Sequence, residues 1–108
     1  MKIKNHQTEN QFKTIPSLEK TAELLNRDYA RIIHMSLKPG DFIEMHKTPM
    51  EVSFYLSHGE LDMQIGDELK KISEGALVES PKNIPHGFRN NYEKNAKILV
   101  IKHLTTKN

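Results

Sequence analysis

The chain has 108 residues, no cysteine, and 16 Lys and Arg against 14 Asp and Glu, for a formal net charge of +2. That length makes one domain with a modest core, and the absence of cysteine excludes disulfides, thiol catalysis and thiolate metal sites. Basic and acidic residues interleave, so the charge reads as a solvated mixed surface and not as a nucleic-acid stripe.

The opening MKIKNHQTEN is polar and lacks the apolar core of a signal peptide, and no apolar run approaches about 18 residues. The expectation is a cytoplasmic protein with no membrane or nucleic-acid partner. Residues 1–21 read as an arm anchored by Ile3 and Phe12, broken at Pro16, and available to supply a strand to a dimer partner. Ser17 to Asn26 is open between two structures. Leu18, Ala22 and Leu25 fall at helical spacing behind Ser17 as an N-cap, whereas Ala22 to Asn26 also reads as a strand entering the turn Asn26-Arg27-Asp28, and the β-rich sequence that follows favours the strand.

From Tyr29 the signals are consistently extended. Tyr29 to Leu37 is rich in β-formers and stops at Lys38-Pro39-Gly40-Asp41, a turn sequence. Phe42 to Thr48 and Glu51 to Leu56 follow, separated by Pro49 and closed by Gly59. In Glu60 to Ile65 the apolar Leu61, Met63 and Ile65 alternate with polar residues and share one face, then Gly66-Asp67 turns the chain into Leu69 to Ser73. Gly75 to Ser80, a proline-punctuated turn from Pro81 to Pro85, Gly87 to Tyr92 and Ala96 to Leu104 complete the set, and Ile98 to Ile101, apolar at every position, reads as a central covered strand. About eight to ten short strands at turn-bounded intervals, with no helical pattern between them, predict an all-β sandwich or barrel over residues 22–104 and a tail at 105–108.

Six histidines are present. His6 and His103 read as surface residues, His58 as a solvated turn residue, and His34 as a packed sheet histidine. His46 and His86 differ, because each lies beside a proline turn on a strand that would line an interior. Their surroundings, Gly40-x5-His46-x-Thr48…Gly59 and Gly75-x5-Pro81-x-Asn83-x2-His86-x3-Asn90, resemble the two signature motifs of the cupin superfamily, G-x5-H-x-H-x3-E-x6-G and G-x5-P-x-G-x2-H-x3-N. The match holds at Gly40, His46, Gly59, Gly75, Pro81, His86 and Asn90, while Asn83 replaces a glycine. The resemblance implies a double-stranded β-helix (jelly-roll) barrel and, in such small chains, a homodimer.

In that family two histidines and a glutamate of the first motif join the histidine of the second to hold a divalent metal. The matching positions here carry His46, Thr48, Val52 and His86, so one histidine and the glutamate are replaced by residues that are poor ligands or none. A β-bulge at Pro49-Met50 would re-aim Glu51 inward. That would make a tentative site of His46, His86 and Glu51 for Fe, Mn, Ni or Zn. Otherwise the pocket holds no metal of ordinary affinity, and His46 and His86 act as hydrogen-bonding or acid–base groups. Thr48, Val52, Phe54, Met63 and Phe88 are expected around them, with Met35, Met45 and Met50 as adaptable apolar neighbours. Three functions follow as expectations. The first is a barrel that binds a small molecule with weak or absent metal binding. The second is a metal-dependent oxygenase or isomerase, with a metal-independent acid–base enzyme as its variant. The third is a structural or regulatory dimerisation module.

Overall fold

The computed structural model describes residues 1–7 and 20–104. The anchor Phe12, the break at Pro16, the N-cap Ser17 and the tail 105–108 lie outside the described residues. The described chain is all-β, with nine strands: β1 Lys20–Asn26, β2 Ala30–Leu37, β3 Phe42–His46, β4 Glu51–His58, β5 Glu60–Ile65, β6 Glu68–Ser73, β7 Leu77–Ser80, β8 His86–Arg89 and β9 Ala96–His103. The ambiguous stretch before Arg27 is thus extended, as strand β1, from Lys20 onward. Among the described residues no helix is long and apolar enough to cross a membrane.

Two antiparallel sheets face each other, one ordered β1-β2-β9-β4-β7 and the other β3-β8-β5-β6. Alternation decides what each strand sends inward. Ile33, Met35 and Leu37 of β2, Val52, Phe54 and Leu56 of β4, and Ala96, Ile98 and Val100 of β9 form one wall of the core. Ile43, Phe88, Leu61 and Met63 form the other. Burial of each large side chain contributes roughly 1.5–3 kcal/mol. Strand β9 is central, as its composition predicts, but its outward Leu99 and Ile101 are only half-buried. Like β8 from His86 to Phe88, strand β2 is buried at successive positions, from Ile33 to Leu37. There the arm supplies a cover: the His6 ring stacks on His34 with centroids 3.8 Å apart and planes 9° apart. His6 is therefore partly covered and not a free surface histidine.

The motif residues other than the histidines hold the turns. Gly59 has φ +82°, and a Cβ there would lie 2.6 Å from the Asn95 carbonyl oxygen, so neither the dihedral nor the space admits a side chain. Asn83, which stands where the resemblance has glycine, adopts φ 65°, the left-handed region that asparagine tolerates better than most residues. Asn90 is fully buried. Its amide donates to the carbonyls of Leu37 at 3.1 Å and Lys94 at 2.9 Å, and its Oδ1 accepts from the Tyr92 N–H at 3.0 Å.

Truncating Asn90 would orphan these backbone groups, at least one of them buried, and an unsatisfied buried group is costly. Asn90→Ala is expected to lose about 2–3 kcal/mol of stability in urea unfolding, whereas Asn91→Ala, at an exposed position, should change it by less than about 1 kcal/mol.

Candidate functional site

Between the two sheets lies a cavity of about 270 Å³, lined by Arg31, Ile33, Met35, Ile43, His46, Thr48, Val52, Phe54, His86, Phe88, Val100 and Lys102. A larger depression beside His58, Glu74 and Tyr92 is more open, and these three side chains are already engaged: His58 with Glu74 at 3.3 Å and the Tyr92 hydroxyl with Asp62.

The two histidines reach the smaller cavity from neighbouring strands. In β3 and β8, Ile43 opposes Phe88 and His46 opposes His86. Two residues, Glu44 and Met45, therefore stand opposite Gly87 alone, which is a β-bulge. Without it, strict alternation from the inward Ile43 would send Met45 in and His46 out. Gly87 makes room for it, since a Cβ there would sit 2.8 Å from the Ile43 carbonyl oxygen and 2.9 Å from the Met45 nitrogen. The ring centroids of His46 and His86 are consequently 4.6 Å apart, with planes at 89°. A bulge does shape this site, but in β3 and not at Pro49-Met50.

Each imidazole is oriented by a second bond. His46 Nδ1 lies 2.9 Å from the Glu44 carbonyl oxygen, which only accepts, so Nδ1 carries a proton and Nε2 is left for a ligand. His86 Nδ1 lies 2.8 Å from Ser80 Oγ, and its ring packs edge-on to Phe54 with centroids 5.1 Å apart. Burial, then the neighbouring His46, then Lys102 push the His86 pKa down to about 4; this ring is neutral at pH 7. The turn before His86 is tied to the first motif, because the Asn83 N–H donates to the Thr48 carbonyl at 2.8 Å.

Of the residues expected around the site, His46, His86, Thr48, Val52, Phe54 and Phe88 all line the cavity. Met63 is buried in the core but does not line it. Glu51 is not brought to the histidines. It pairs with His103 while Val52 pairs with Lys102, in unbroken register. Since Val52 is buried and faces the cavity, alternation directs Glu51 to the outer face, where it is exposed. Arg31 and Lys102 were not anticipated. Their signal was phase: Lys102 continues the inward stripe Ile98, Val100, and Arg31 precedes Ile33 and Met35 on theirs.

The donor set does not fit a tightly held divalent cation. Two imidazoles converge, the Thr48 hydroxyl donates to the Met50 carbonyl at 3.0 Å, and Val52 supplies nothing. Two basic side chains share the chamber. Among the described residues, no group of three His, Cys, Asp or Glu side chains is placed to hold a metal.

The family model described as "Cupin domain" matches residues 33–102. Solved structures share the architecture at low identity. An RmlC-like cupin from Shewanella frigidimarina has a TM-score of 0.84 at 12% identity, covering 96% of this chain and 91% of its own. The polyketide cyclase RemF from Streptomyces resistomycificus has a TM-score of 0.83 at 17% identity, covering 97% and 80%. A predicted oxalate decarboxylase from Thermotoga maritima has a TM-score of 0.84 at 18% identity, covering 96% and 100%. These likenesses show the fold, which is the double-stranded β-helix. No curated protein matches the sequence.

Because folded His86 takes up its proton less readily than the unfolded chain, this group leaves stability unchanged well above pH 6.5. It lowers stability as pH falls from 6.5 toward about 4. Between pH 7 and pH 5 this amounts to about 2 kcal/mol. Urea unfolding at both pH values is expected to show that loss in the parent chain and a clearly smaller one in His86→Gln.

Proposed function

We propose that this chain, which belongs to the cupin domain family, is a binding protein for a small molecule held in the barrel, without dependence on a tightly bound metal. The observation that carries the reading is the cavity itself: apolar walls from both sheets, with His46, His86 and Lys102 converging on it. Mostly apolar chambers with a few fixed polar groups are the usual form of small-molecule sites. Two imidazoles of settled orientation add hydrogen-bonding capacity, and a neutral His86 beside an exposed His46 suits them to acid–base work on a bound ligand. In this reading the protein works in the cytoplasm as a homodimer. The exposed, cross-strand pair Tyr55 and Leu77 on the outer face of the larger sheet supports the dimer.

The fold hosts many activities, among them those its structural neighbours are named for, so the site and not the fold must decide. A second reading is supported by one specific observation, the 4.6 Å approach of His46 and His86. It holds that their Nε2 atoms bind Fe, Mn, Ni or Zn weakly, with water completing the shell, and that the chain is an oxygenase or isomerase.

One experiment separates the two. Chelator-treated protein is screened by thermal unfolding against a panel of small metabolites, and untreated protein is analysed for bound metal beside His86→Ala. A ligand present at a hundred times its Kd should stabilise metal-free protein by about 2.7 kcal/mol, a rise in Tm of about 10–20 °C for a domain of this size. His46→Trp, which blocks the mouth from an exposed position, should keep the fold and abolish the rise. One metal per chain, lost in His86→Ala, together with no metal-free ligand, would replace the first reading with the second.

A further inference from the structure

The cavity has a charge that neither histidine motif supplies. Arg31 and Lys102 are cross-strand partners on β2 and β9, and both line the chamber next to Val52. Arg31 is largely compensated, because its Nε donates to Glu23 Oε2 at 2.5 Å. Lys102 is not: among the described residues no carboxylate lies within ion-pair distance of it. Among the described residues, no Asp or Glu lines the cavity. An ammonium half-withdrawn from water, with no counter-charge, is unfavourable. Burial and then Arg31 accordingly lower its pKa. The chamber therefore offers roughly one uncompensated cation at the edge of an apolar volume.

We propose that the barrel is a site for a small organic monocarboxylate. Lys102 is its charge partner, Arg31 and the His46 and His86 rings flank the carboxylate, and Ile33, Phe54, Phe88 and Val100 enclose its hydrocarbon body. This rests on the small-molecule reading above and gives it a ligand class. One net cation matches a monoanion better than a phosphate dianion. A volume of about 270 Å³ corresponds to roughly nine water-sized groups, which sets the size of the ligand at that of benzoate or a short branched acid. The cation occupies the chamber in which the cupin resemblance places a metal, so an anion is held by a side chain of the protein itself.

The test is calorimetric titration of chelator-treated full-length protein with benzoate, isovalerate, benzamide and inorganic phosphate at low and moderate salt. Carboxylates are expected to bind at least tenfold more tightly than benzamide, and phosphate more weakly than benzoate. Lys102→Met should weaken benzoate by about tenfold to a hundredfold and leave Tm unchanged or raised, since it removes an unpaired charge. Lys102→Arg should recover part of the affinity. Equal binding of benzoate and benzamide, or benzoate binding indifferent to Lys102→Met, would overturn the carboxylate assignment while leaving a small-molecule site. Phosphate binding more tightly than benzoate would overturn it too. Failure of every probe would overturn it, and the metabolite panel would then judge the broader reading separately. A fall in Tm in Lys102→Met with benzoate affinity intact would assign Lys102 to the fold and not to a ligand.

Discussion

Strand β9 lies between β2 and β4 in continuous register, from Ala30 opposite His103 to Leu37 opposite Ala96 on one side and from Glu51 opposite His103 to Leu56 opposite Ile98 on the other. That ladder fixes the phase of three strands at once. A slip of one residue would exchange Ala96, Ile98 and Val100 for Lys97, Leu99 and Ile101 at the core. The same phase carries Lys102 and Arg31 inward and Glu51 outward. The hydrophobic seam and the inward placement of the cavity's charge are thus consequences of a single pairing, and a change of register would displace both.

The second sheet contributes precision where the first contributes phase. Strand β3 reaches its partner over Gly87, and the extra residue in the bulge turns His46 toward His86. The site is therefore held by backbone: a bulge on one strand, a left-handed Asn83 in the turn before the other, and the bond from Asn83 to the Thr48 carbonyl that joins the two stretches. Side chains positioned by such elements need little further support. The bond of His46 to the Glu44 carbonyl and that of His86 to Ser80 complete it.

Much of this was legible in the sequence. Proline, glycine and asparagine turns marked nearly every strand boundary from Asn26 to Asn95, and strict alternation in Leu61 and Met63 gave the buried face of β5. The two histidines were identifiable because each stood beside a proline turn at a recognisable spacing. What escaped was local geometry that alternation cannot see. A bulge consumes one residue without any compositional mark, so its place at Glu44–Met45 rather than Pro49–Met50 was not readable. Glu51 was a candidate only on the assumption that the bulge lay just before it. Lys102 was overlooked for the opposite reason: its phase continues the stripe of Ile98 and Val100, but a lysine after an apolar run is ordinarily where a strand leaves the core, and the register with Val52 shows that it does not.

A folded chain gains nothing from an uncompensated ammonium at the edge of its core, and a methionine at position 102 would fill the same place with adaptable apolar contact. Sites of this kind are where stability and function diverge. The His46–His86 pair alone would leave the chamber an apolar pocket with two neutral or weakly basic rings. With Lys102 beside them, burial and like charge hold His86 neutral, so the lysine is the group left to meet an anion while the rings serve as hydrogen-bond partners. A divalent cation would face that charge at close range in a medium that screens poorly. In the proposed reading, Thr48 and Val52 at the positions where the cupin resemblance has ligands and the inward turn of Lys102 act in the same direction: they favour a negative charge in the chamber over a metal.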